Sequence, residues 1–138
     1  MSRFEQKVLI RETHLDVFGH VNNATYLTIF EDARWDFLFS LGIDIHSIKK
    51  AQIGPVILEC QVKFLREIRA REEIIVTVEP LMENITERSK VFLMKQQMFN
   101  QKGELACDGV LTFGVFDLQN RRLILPPMEW RKAFGLDI

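Results

Sequence analysis

The sequence predicts an α+β protein in which a curled antiparallel sheet of about five strands wraps around one long central helix. Two observations predict this class. Apolar residues recur every three or four positions over residues 23–41, and every second position in several later segments. These later segments follow one another without a second long helical pattern, which favours a meander sheet packed against the helix. At 138 residues, the chain is expected to be one domain spanning residues 1–138.

The helix is predicted to begin at Asn22 or Asn23, either of which can cap it, and to end near Gly42. Two apolar ladders run along it. The first is a core stripe made of Tyr26, Phe30, Ala33, Phe37 and Leu41. The second carries one acidic residue and consists of Leu27, Glu31, Trp35 and Phe39. A helix that is apolar around much of its circumference is expected where a sheet wraps it.

One predicted strand precedes this helix in the sequence, and the others follow it. A first strand is predicted over residues 8–14, with an imperfect alternation. The alternation over residues 56–64 predicts a half-buried strand whose solvent-exposed face carries Glu59, Gln61 and Lys63. Further strands are predicted over residues 73–79, 88–99, 105–116 and 123–125, with a small helix ending at residue 134. A sheet covered by one helix has two edges, so pairing of edges into a homodimer would remove one of them.

Composition and charge exclude several classes of function. The net charge is −1, from 18 basic and 19 acidic residues, which does not suit a nucleic-acid partner. The N-terminus shows no apolar segment of a signal peptide, and no apolar run has the roughly 20 residues of a membrane helix. We therefore expect a cytoplasmic protein without membrane insertion, with Cys60 and Cys107 as buried free thiols.

The segment from Asp16 to Asn23 carries the strongest functional signal in the chain. It reads Asp-Val-Phe-Gly-His-Val-Asn-Asn and ends where the long helix begins. A helix start offers unpaired backbone N–H groups and a partial positive charge, both of which stabilise a carbonyl oxygen that gains charge. Beside such an end, Asp16 is a candidate nucleophile or general base, and Val17 and Phe18 could partly desolvate it.

The neighbours of Asp16 are assigned roles in the same site. Gly19 lets the backbone approach a substrate closely, and His20 is a candidate catalytic imidazole. The backbone N–H groups from His20 to Asn23, including Val21, are the candidate oxyanion donors, with Asn22 as a further substrate-binding candidate.

For two residues on the predicted helix, Tyr26 and Glu31, the sequence allows two structural roles each. The phenol of Tyr26 is either part of the core or a substrate-binding group one turn into the helix. Glu31 either pairs with Arg34 on a solvated flank or faces a cleft as a second acid/base or water-positioning group. The residues leave both questions open.

Other chemistries find little support in the sequence. His14, Asp16 and His20 form too small and mixed a set to predict a metal site. The chain has no Gly-x-Ser-x-Gly elbow, no Gly-x-Gly-x-x-Gly motif and no P-loop.

The segment Asp16-x-x-Gly19-His20-Val21-Asn22-Asn23-x-x-Tyr26, followed by Glu31-x-Ala33-Arg34, resembles the signature of the hot-dog-fold acyl-CoA thioesterases. This is the 4-hydroxybenzoyl-CoA thioesterase family in its broad sense, and the order of predicted elements is similar over nearly the whole chain. The resemblance implies hydrolysis of an acyl-CoA or acyl-carrier-protein thioester to free acid and thiol, with no cofactor besides the CoA of the substrate. It also implies a homodimer or homotetramer with active sites at the subunit interface, and it makes Asp16 the catalytic carboxylate.

The chain departs from the family pattern in three places, one of which is the charged run of residues 69–73, where a glycine usually precedes the third strand. His14 stands where family members often carry an acidic residue, and Glu67 follows Arg66 where a proline is common. Two alternatives to the thioesterase also stay open. They are a hot-dog hydratase or dehydratase acting on an enoyl-CoA, and an acyl-CoA-binding module without catalysis.

Overall fold

The computed structural model describes residues 3–136, which form six strands and three α-helices. In chain order these are β1 (Phe4–Leu9), α1 (Asn23–Ser40), α2 (Ile45–Ala51), β2 (Ile53–Phe64), β3 (Glu73–Leu81), β4 (Phe92–Phe99), β5 (Leu105–Asp117), β6 (Arg122–Ile124) and α3 (Met128–Ala133). No helix within the described residues is both long enough and apolar enough to span a membrane.

All strands pair antiparallel in one sheet, in the order β1-β3-β4-β5-β2, with β6 added to the end of β5. Helix α1 packs on this sheet and contributes six buried side chains to the core: Tyr26, Ile29, Phe30, Ala33, Phe37 and Leu38. The predicted α+β class is therefore confirmed. The sheet has six strands where about five were expected, because the short β6 pairs with β5.

Helix α1 begins and ends close to the predicted positions. Asn22 is the N-cap, and its side-chain oxygen accepts a hydrogen bond from the Ala24 N–H at 2.9 Å. Gly42 adopts a φ of 84° just after the helix, a conformation that glycine adopts without strain. Leu41 was predicted to be in the core but is 45% exposed, since the helix ends at Ser40 and Leu38 fills the inward position.

The first strand lies earlier than predicted. Strand β1 pairs with β3 from Phe4 to Leu9, and the following Glu12–His14 segment forms a single 3₁₀ turn. In that turn the Arg11 N–H donates to the His14 Nδ1 at 2.9 Å. Polar side chains that bond nearby backbone groups compete with strand pairing, which explains why the strand ends before this run.

A buried glutamine fixes the middle of α1 to the sheet. Gln96 of β4 is fully buried, and its amide nitrogen donates to the carbonyl oxygen of Phe30 at 3.0 Å. Its side-chain oxygen accepts from Nη1 of Arg34 at 2.9 Å. A buried polar group that lost these partners would cost stability, so the position of α1 on β4 is well determined.

Strand β2 is one free edge of the sheet, and this changes the burial predicted for it. The register shifts at a bulge between Ile57 and Glu59, which re-aims the side chains that follow. Leu58 and Phe64 are 48% and 52% exposed, and Cys60 is exposed where a buried thiol was predicted. Cys107, on the central strand β5, is buried as predicted.

Candidate active site

One oxygen of Asp16 holds together the loop that leads into α1. Its Oδ1 accepts the backbone N–H groups of Phe18 at 2.9 Å and His20 at 3.2 Å. The backbone of Asp16 closes the same loop, because its N–H donates to the carbonyl of His20 at 2.8 Å and its carbonyl accepts from Gly19 at 3.1 Å. Gly19 has a φ of 83°, a conformation that favours glycine. The loop is thus a compact turn built around the Asp16 carboxylate.

The second oxygen of Asp16 is available for chemistry. Oδ2 has no hydrogen-bond partner within residues 3–136. Asp16 lines an open cleft of about 360 Å³ together with His20, Val21, Asn23, Tyr26 and residues 64–67. A carboxylate oxygen at the wall of a cleft can attack a carbonyl carbon or take a proton from water.

Of the predicted oxyanion donors, the structure leaves one unpaired. The backbone N–H groups of His20, Val21 and Asn22 donate to Asp16 Oδ1, the Ile68 carbonyl and the His14 carbonyl. The N–H of Asn23, the first residue of α1, has no acceptor among the described residues and lies at the same cleft as Asp16. The positive end of the helix dipole adds to its capacity to hold a developing oxyanion.

His20 reaches the cleft but does not contact the Asp16 carboxylate through its ring. Its Nε2 lies 2.7 Å from Oε2 of Glu67, and the other carboxylate oxygen, Oε1, accepts from Nη2 of Arg69 at 2.8 Å. The hydrogen bond from Arg69 makes the largest contribution to lowering the pKa of Glu67, and the nearby charges of His20 and Arg69 lower it further. Glu67 was missed as a site residue. The available signal was its place after Arg66, where the family commonly has proline.

Tyr26 is both a core residue and a wall of the cleft. It is 4% exposed, and its ring packs against that of Phe64 with 5.0 Å between centroids. Burial, with smaller contributions from Cys107 and Asp16, raises the pKa of Tyr26 to about 12. The phenol therefore stays protonated at neutral pH and cannot serve as a base there. Burial likewise raises the pKa of Cys107 to about 12, which leaves it inert as a nucleophile.

Glu31 lies apart from the Asp16 cleft within the protomer. It is exposed on α1 at the rim of a second cavity, and its Oε2 accepts from Nε1 of Trp35 at 3.4 Å. Arg34, its predicted partner, bonds Gln96 instead. Burial lowers the pKa of Arg34, and the nearby charge of Glu31 opposes that shift.

The predicted shielding of Asp16 by its neighbours is absent in the protomer. Val17 and Phe18 are 95% and 78% exposed, because the turn points both side chains outward. Gly19 and Asn22 also do not line the cleft, and they act through the turn and the helix cap.

Arg66 at the cleft, and Arg69 and Arg71 near it in the sequence, are each paired with a carboxylate. Two pairs link different segments, Arg66–Glu104 at 3.5 Å and Arg71–Glu12 at 2.8 Å, and Arg69–Glu67 at 2.8 Å lies within one loop. A phosphate group approaching here would compete with these carboxylates. Within the described part of the chain, no three His, Cys, Asp or Glu side chains come together as metal ligands, so no candidate metal site arises there.

A curled sheet around one long helix, with a carboxylate beside the start of that helix, defines the chain as a hot-dog-fold protein with a site suited to acyl transfer. The chain belongs to the thioesterase-like superfamily, whose family model matches residues 10–134. The family resemblance drawn from the Asp16–Tyr26 motif is thereby confirmed.

Two curated relatives are thioesterases. The long-chain acyl-CoA thioesterase FadM of Escherichia coli (strain K12) is 25% identical over 128 residues, which cover 93% of this chain and 94% of FadM. The chloroplastic acyl-acyl carrier protein thioesterase ATL3 of Arabidopsis thaliana is 35% identical over 77 residues, covering 55% of this chain and 40% of that protein.

Solved structures support the fold. The 1,4-dihydroxy-2-naphthoyl-CoA thioesterase Slr0204 from Synechocystis superposes with a TM-score of 0.84 at 14% identity, covering 97% of this chain and 96% of that one. YbaW, a probable thioesterase from Escherichia coli, gives a TM-score of 0.78 at 25% identity, with 96% of each chain covered.

Tyr26 gives a direct test of how tightly this site is packed, because it is the only tyrosine in the chain. We expect its phenolate absorbance to appear near pH 12 in the folded protein and near pH 10.0 in urea. Because the pKa of Tyr26 is higher in the folded state than in the unfolded state, protonation of Tyr26 favours the folded state. The stability contributed by Tyr26 is therefore complete below pH 10.0 and is lost as the pH rises toward 12.

The control is Tyr26→Phe, which should remove the absorbance change and part of the alkaline loss of stability in urea unfolding. The buried thiol of Cys107 should account for a remaining part. A folded-state midpoint equal to the midpoint in urea would contradict the buried placement of Tyr26.

Proposed function

We propose that this protein is a thioesterase that hydrolyses an acyl-CoA or acyl-carrier-protein thioester to a free acid and a thiol. The observation that carries the proposal is the free Oδ2 of Asp16 at the same cleft as the unpaired N–H of Asn23. Membership of the thioesterase-like superfamily supports the same reaction class.

The geometry suggests how the reaction proceeds. The thioester carbonyl oxygen accepts the Asn23 N–H at the positive end of α1, which polarises the carbonyl carbon. Asp16 Oδ2 then either attacks that carbon or takes a proton from the water that attacks it. With water as the nucleophile, the tetrahedral intermediate collapses, the carbon–sulfur bond breaks, and the proton that Asp16 took from the water passes to the sulfur, which leaves as the free thiol. With direct attack, a thiolate leaves and takes a proton from solvent, and one water hydrolyses the resulting anhydride to the free acid and the Asp16 carboxylate.

The roles of the remaining candidates follow from their contacts. We assign His20 to the wall of the cleft, held by Glu67, and Tyr26 to a neutral wall that packs against the substrate. Glu31 stands outside the Asp16 cleft in the protomer, so no chemical step is assigned to it.

The test is thiol release from a panel of acyl-CoAs and acyl-carrier proteins, comparing wild type with Asp16→Asn. The amide keeps the size of the side chain but removes the basic oxygen, so we expect turnover to fall about a hundredfold or more. Asp32→Asn, at an exposed position on α1, is the matched control and should keep wild-type turnover.

Full activity of a folded Asp16→Asn variant would overturn the assignment of Asp16. Saturable binding of acyl-CoA with no thiol released by wild type would favour a non-catalytic binding module. Hydration of an enoyl-CoA without thiol release would favour a hydratase.

We further propose a homodimer formed by antiparallel pairing of β2 with its own copy. Strand β2 is a long free edge of the sheet, and such edges tend to find a partner. If the two-fold axis passes at Gln61, Glu59 stands opposite Lys63 of the partner subunit, so each acidic side chain meets a basic one. The cytoplasm is the compartment we propose for this dimer, as the sequence predicts.

The same register also matches apolar side chains. It places Cys60 opposite Val62 of the partner subunit, and it brings Phe64 near the bulge at Leu58 of the partner subunit. Leu58 and Phe64 are about half exposed in the protomer, and pairing would cover both. The arrangement is complementary on both faces of the strand, which favours this register over its neighbours.

Charge reversal tests the dimer. Glu59→Lys should weaken association several-fold, because it sets two like charges opposite each other at both ends of the pairing. The double variant Glu59→Lys with Lys63→Glu restores opposite charges and should recover wild-type association in sedimentation equilibrium. If both variants and wild type have the same dissociation constant, β2 does not pair in this register.

A further inference from the structure

The imidazole ring of His20 is held by a carboxylate that the surrounding loop keeps in place. Its Nε2 lies 2.7 Å from Oε2 of Glu67, whose Oε1 accepts from Nη2 of Arg69 at 2.8 Å, so both carboxylate oxygens have partners. The backbone supports this contact. His20 and Arg69 form an isolated β-bridge, and the Val21 N–H donates to the Ile68 carbonyl at 2.9 Å. A proline at position 67, which is common in the family, would leave the ring without this partner.

The contact with Glu67 decides which nitrogen of the His20 ring carries the hydrogen. The hydrogen bond from Arg69 lowers the pKa of Glu67, so this carboxylate is ionised at neutral pH and has no hydrogen to donate. Two lone pairs that faced each other at 2.7 Å would repel, so Nε2 of His20 carries the hydrogen and donates it to Glu67. In the neutral ring, Nδ1 is then a hydrogen-bond acceptor.

This Nδ1 is accessible from outside the protein. It has no hydrogen-bond partner within residues 3–136. In that part of the chain, every buried side-chain nitrogen or oxygen has a partner, so an unpaired Nδ1 cannot be buried. The His20 side chain is 33% exposed and lines the Asp16 cleft. A wall of the cleft therefore carries an accessible acceptor nitrogen that the chemistry of Asp16 does not use.

Two unpaired acceptors thus belong to the same turn. They are Oδ2 of Asp16 and Nδ1 of His20, and the two residues are joined directly, because Oδ1 of Asp16 accepts the His20 N–H at 3.2 Å. A water molecule has two hydrogens, so it can donate one to each acceptor and keep its lone pairs free to attack. Two such hydrogen bonds fix the orientation of the water relative to a carbonyl held by the Asn23 N–H.

We propose that His20 is a catalytic residue whose Nδ1 accepts a hydrogen bond from the attacking water, and that Glu67 is a positioning residue that holds the ring in this tautomer. The inference rests on the proposed thioesterase function and adds two residues to its mechanism. One hydrogen of the water passes to Asp16 Oδ2 as a proton, while the hydrogen that faces Nδ1 stays on the water oxygen. In the route by direct attack, Nδ1 binds the water that hydrolyses the anhydride.

The first experiment determines the tautomer and needs no substrate. Long-range proton–nitrogen NMR correlations show whether each imidazole nitrogen carries a hydrogen. Above the pH at which the ring titrates, Nε2 of His20 should be protonated and Nδ1 unprotonated in wild type. In Glu67→Leu the ring loses its partner, so its two tautomers should mix as they do in the exposed His46. A protonated Nδ1 in wild type would overturn the proposal.

The second experiment separates a contact with water from a structural role by comparing two substitutions of His20. Asparagine places an amide oxygen near the position of Nδ1 but is too short to reach Glu67. Glutamine reaches the position of Nε2 and keeps the contact with Glu67, but it has no acceptor at the position of Nδ1. A structural role therefore predicts that glutamine is the better replacement, whereas the proposed role predicts that asparagine is.

We expect kcat for thiol release to fall about tenfold in His20→Gln, the effect of one lost hydrogen bond, and to fall less in His20→Asn. KM should change little in both variants, because the contact with water acts on the chemical step. His46→Gln, the same substitution at an exposed position of α2, is the matched control and should keep wild-type kcat.

The role of Glu67 is tested by a double-mutant cycle. Glu67→Leu should lower kcat several-fold in wild type, because the ring of His20 is no longer held. In the His20→Asn background the same substitution should change kcat little, since asparagine does not reach Glu67. An equal loss in both backgrounds would show that Glu67 acts on the loop rather than through His20, and would overturn its assignment.

The outcomes separate this inference from the proposed function. Thiol release that depends on Asp16, with His20→Gln as active as wild type or more active than His20→Asn, overturns the role of His20 and leaves the thioesterase intact. If wild type releases no thiol from any substrate, the thioesterase and the contact with water are overturned together. If His20→Gln does not fold, the tautomer in wild type and the kcat of Glu67→Leu decide.

Discussion

The structure of the site depends on the different contacts that the two carboxylate oxygens of Asp16 make. Oδ1 accepts two backbone N–H groups and thereby closes the turn before α1, while Oδ2 has no partner among the described residues and belongs to a side chain that lines the cleft. Closing the turn sets where α1 begins, and so it places the Asn23 N–H at the same cleft. In the proposed function, one side chain thus holds the site in shape and supplies its reactive atom.

The remainder of the fold keeps α1 in register with this turn. The buried Gln96 binds the Phe30 carbonyl and Arg34 halfway along the helix. Because the cleft lies at the start of α1, this anchor helps to keep that start in place beside the Asp16 turn.

Much of this arrangement could be predicted from the sequence. The period of the apolar residues predicted the long helix and the strands around it, and the motif from Asp16 to Tyr26 contained five of the residues that line the cleft: Asp16, His20, Val21, Asn23 and Tyr26. These signals are local, since they depend on spacing along the chain. The prediction of several backbone donors was too broad. Pairing of the Val21 N–H with the Ile68 carbonyl and of the Asn22 N–H with the His14 carbonyl depends on tertiary contacts.

Other features depend on contacts between distant segments and could not be predicted from spacing. The partnership of His20 with Glu67 joins residues far apart in the chain, and the exposure of Cys60 follows from the place of β2 at an edge and from its bulge. The second cavity, which Glu31 borders, likewise requires six elements to meet, among them α3 at the far end of the sequence. Alternation predicts which way a side chain points but not what lies opposite it.

The most direct test of the account is the free energy of unfolding in urea of Asp16→Ala beside that of Asp16→Asn. Asparagine keeps an oxygen that can accept both N–H groups of the turn, so its stability should stay within about 0.5 kcal/mol of wild type, whereas alanine should lose about 1–2 kcal/mol. Equal stability of the two variants would contradict the claim that one oxygen of Asp16 holds the turn while the other is free for chemistry.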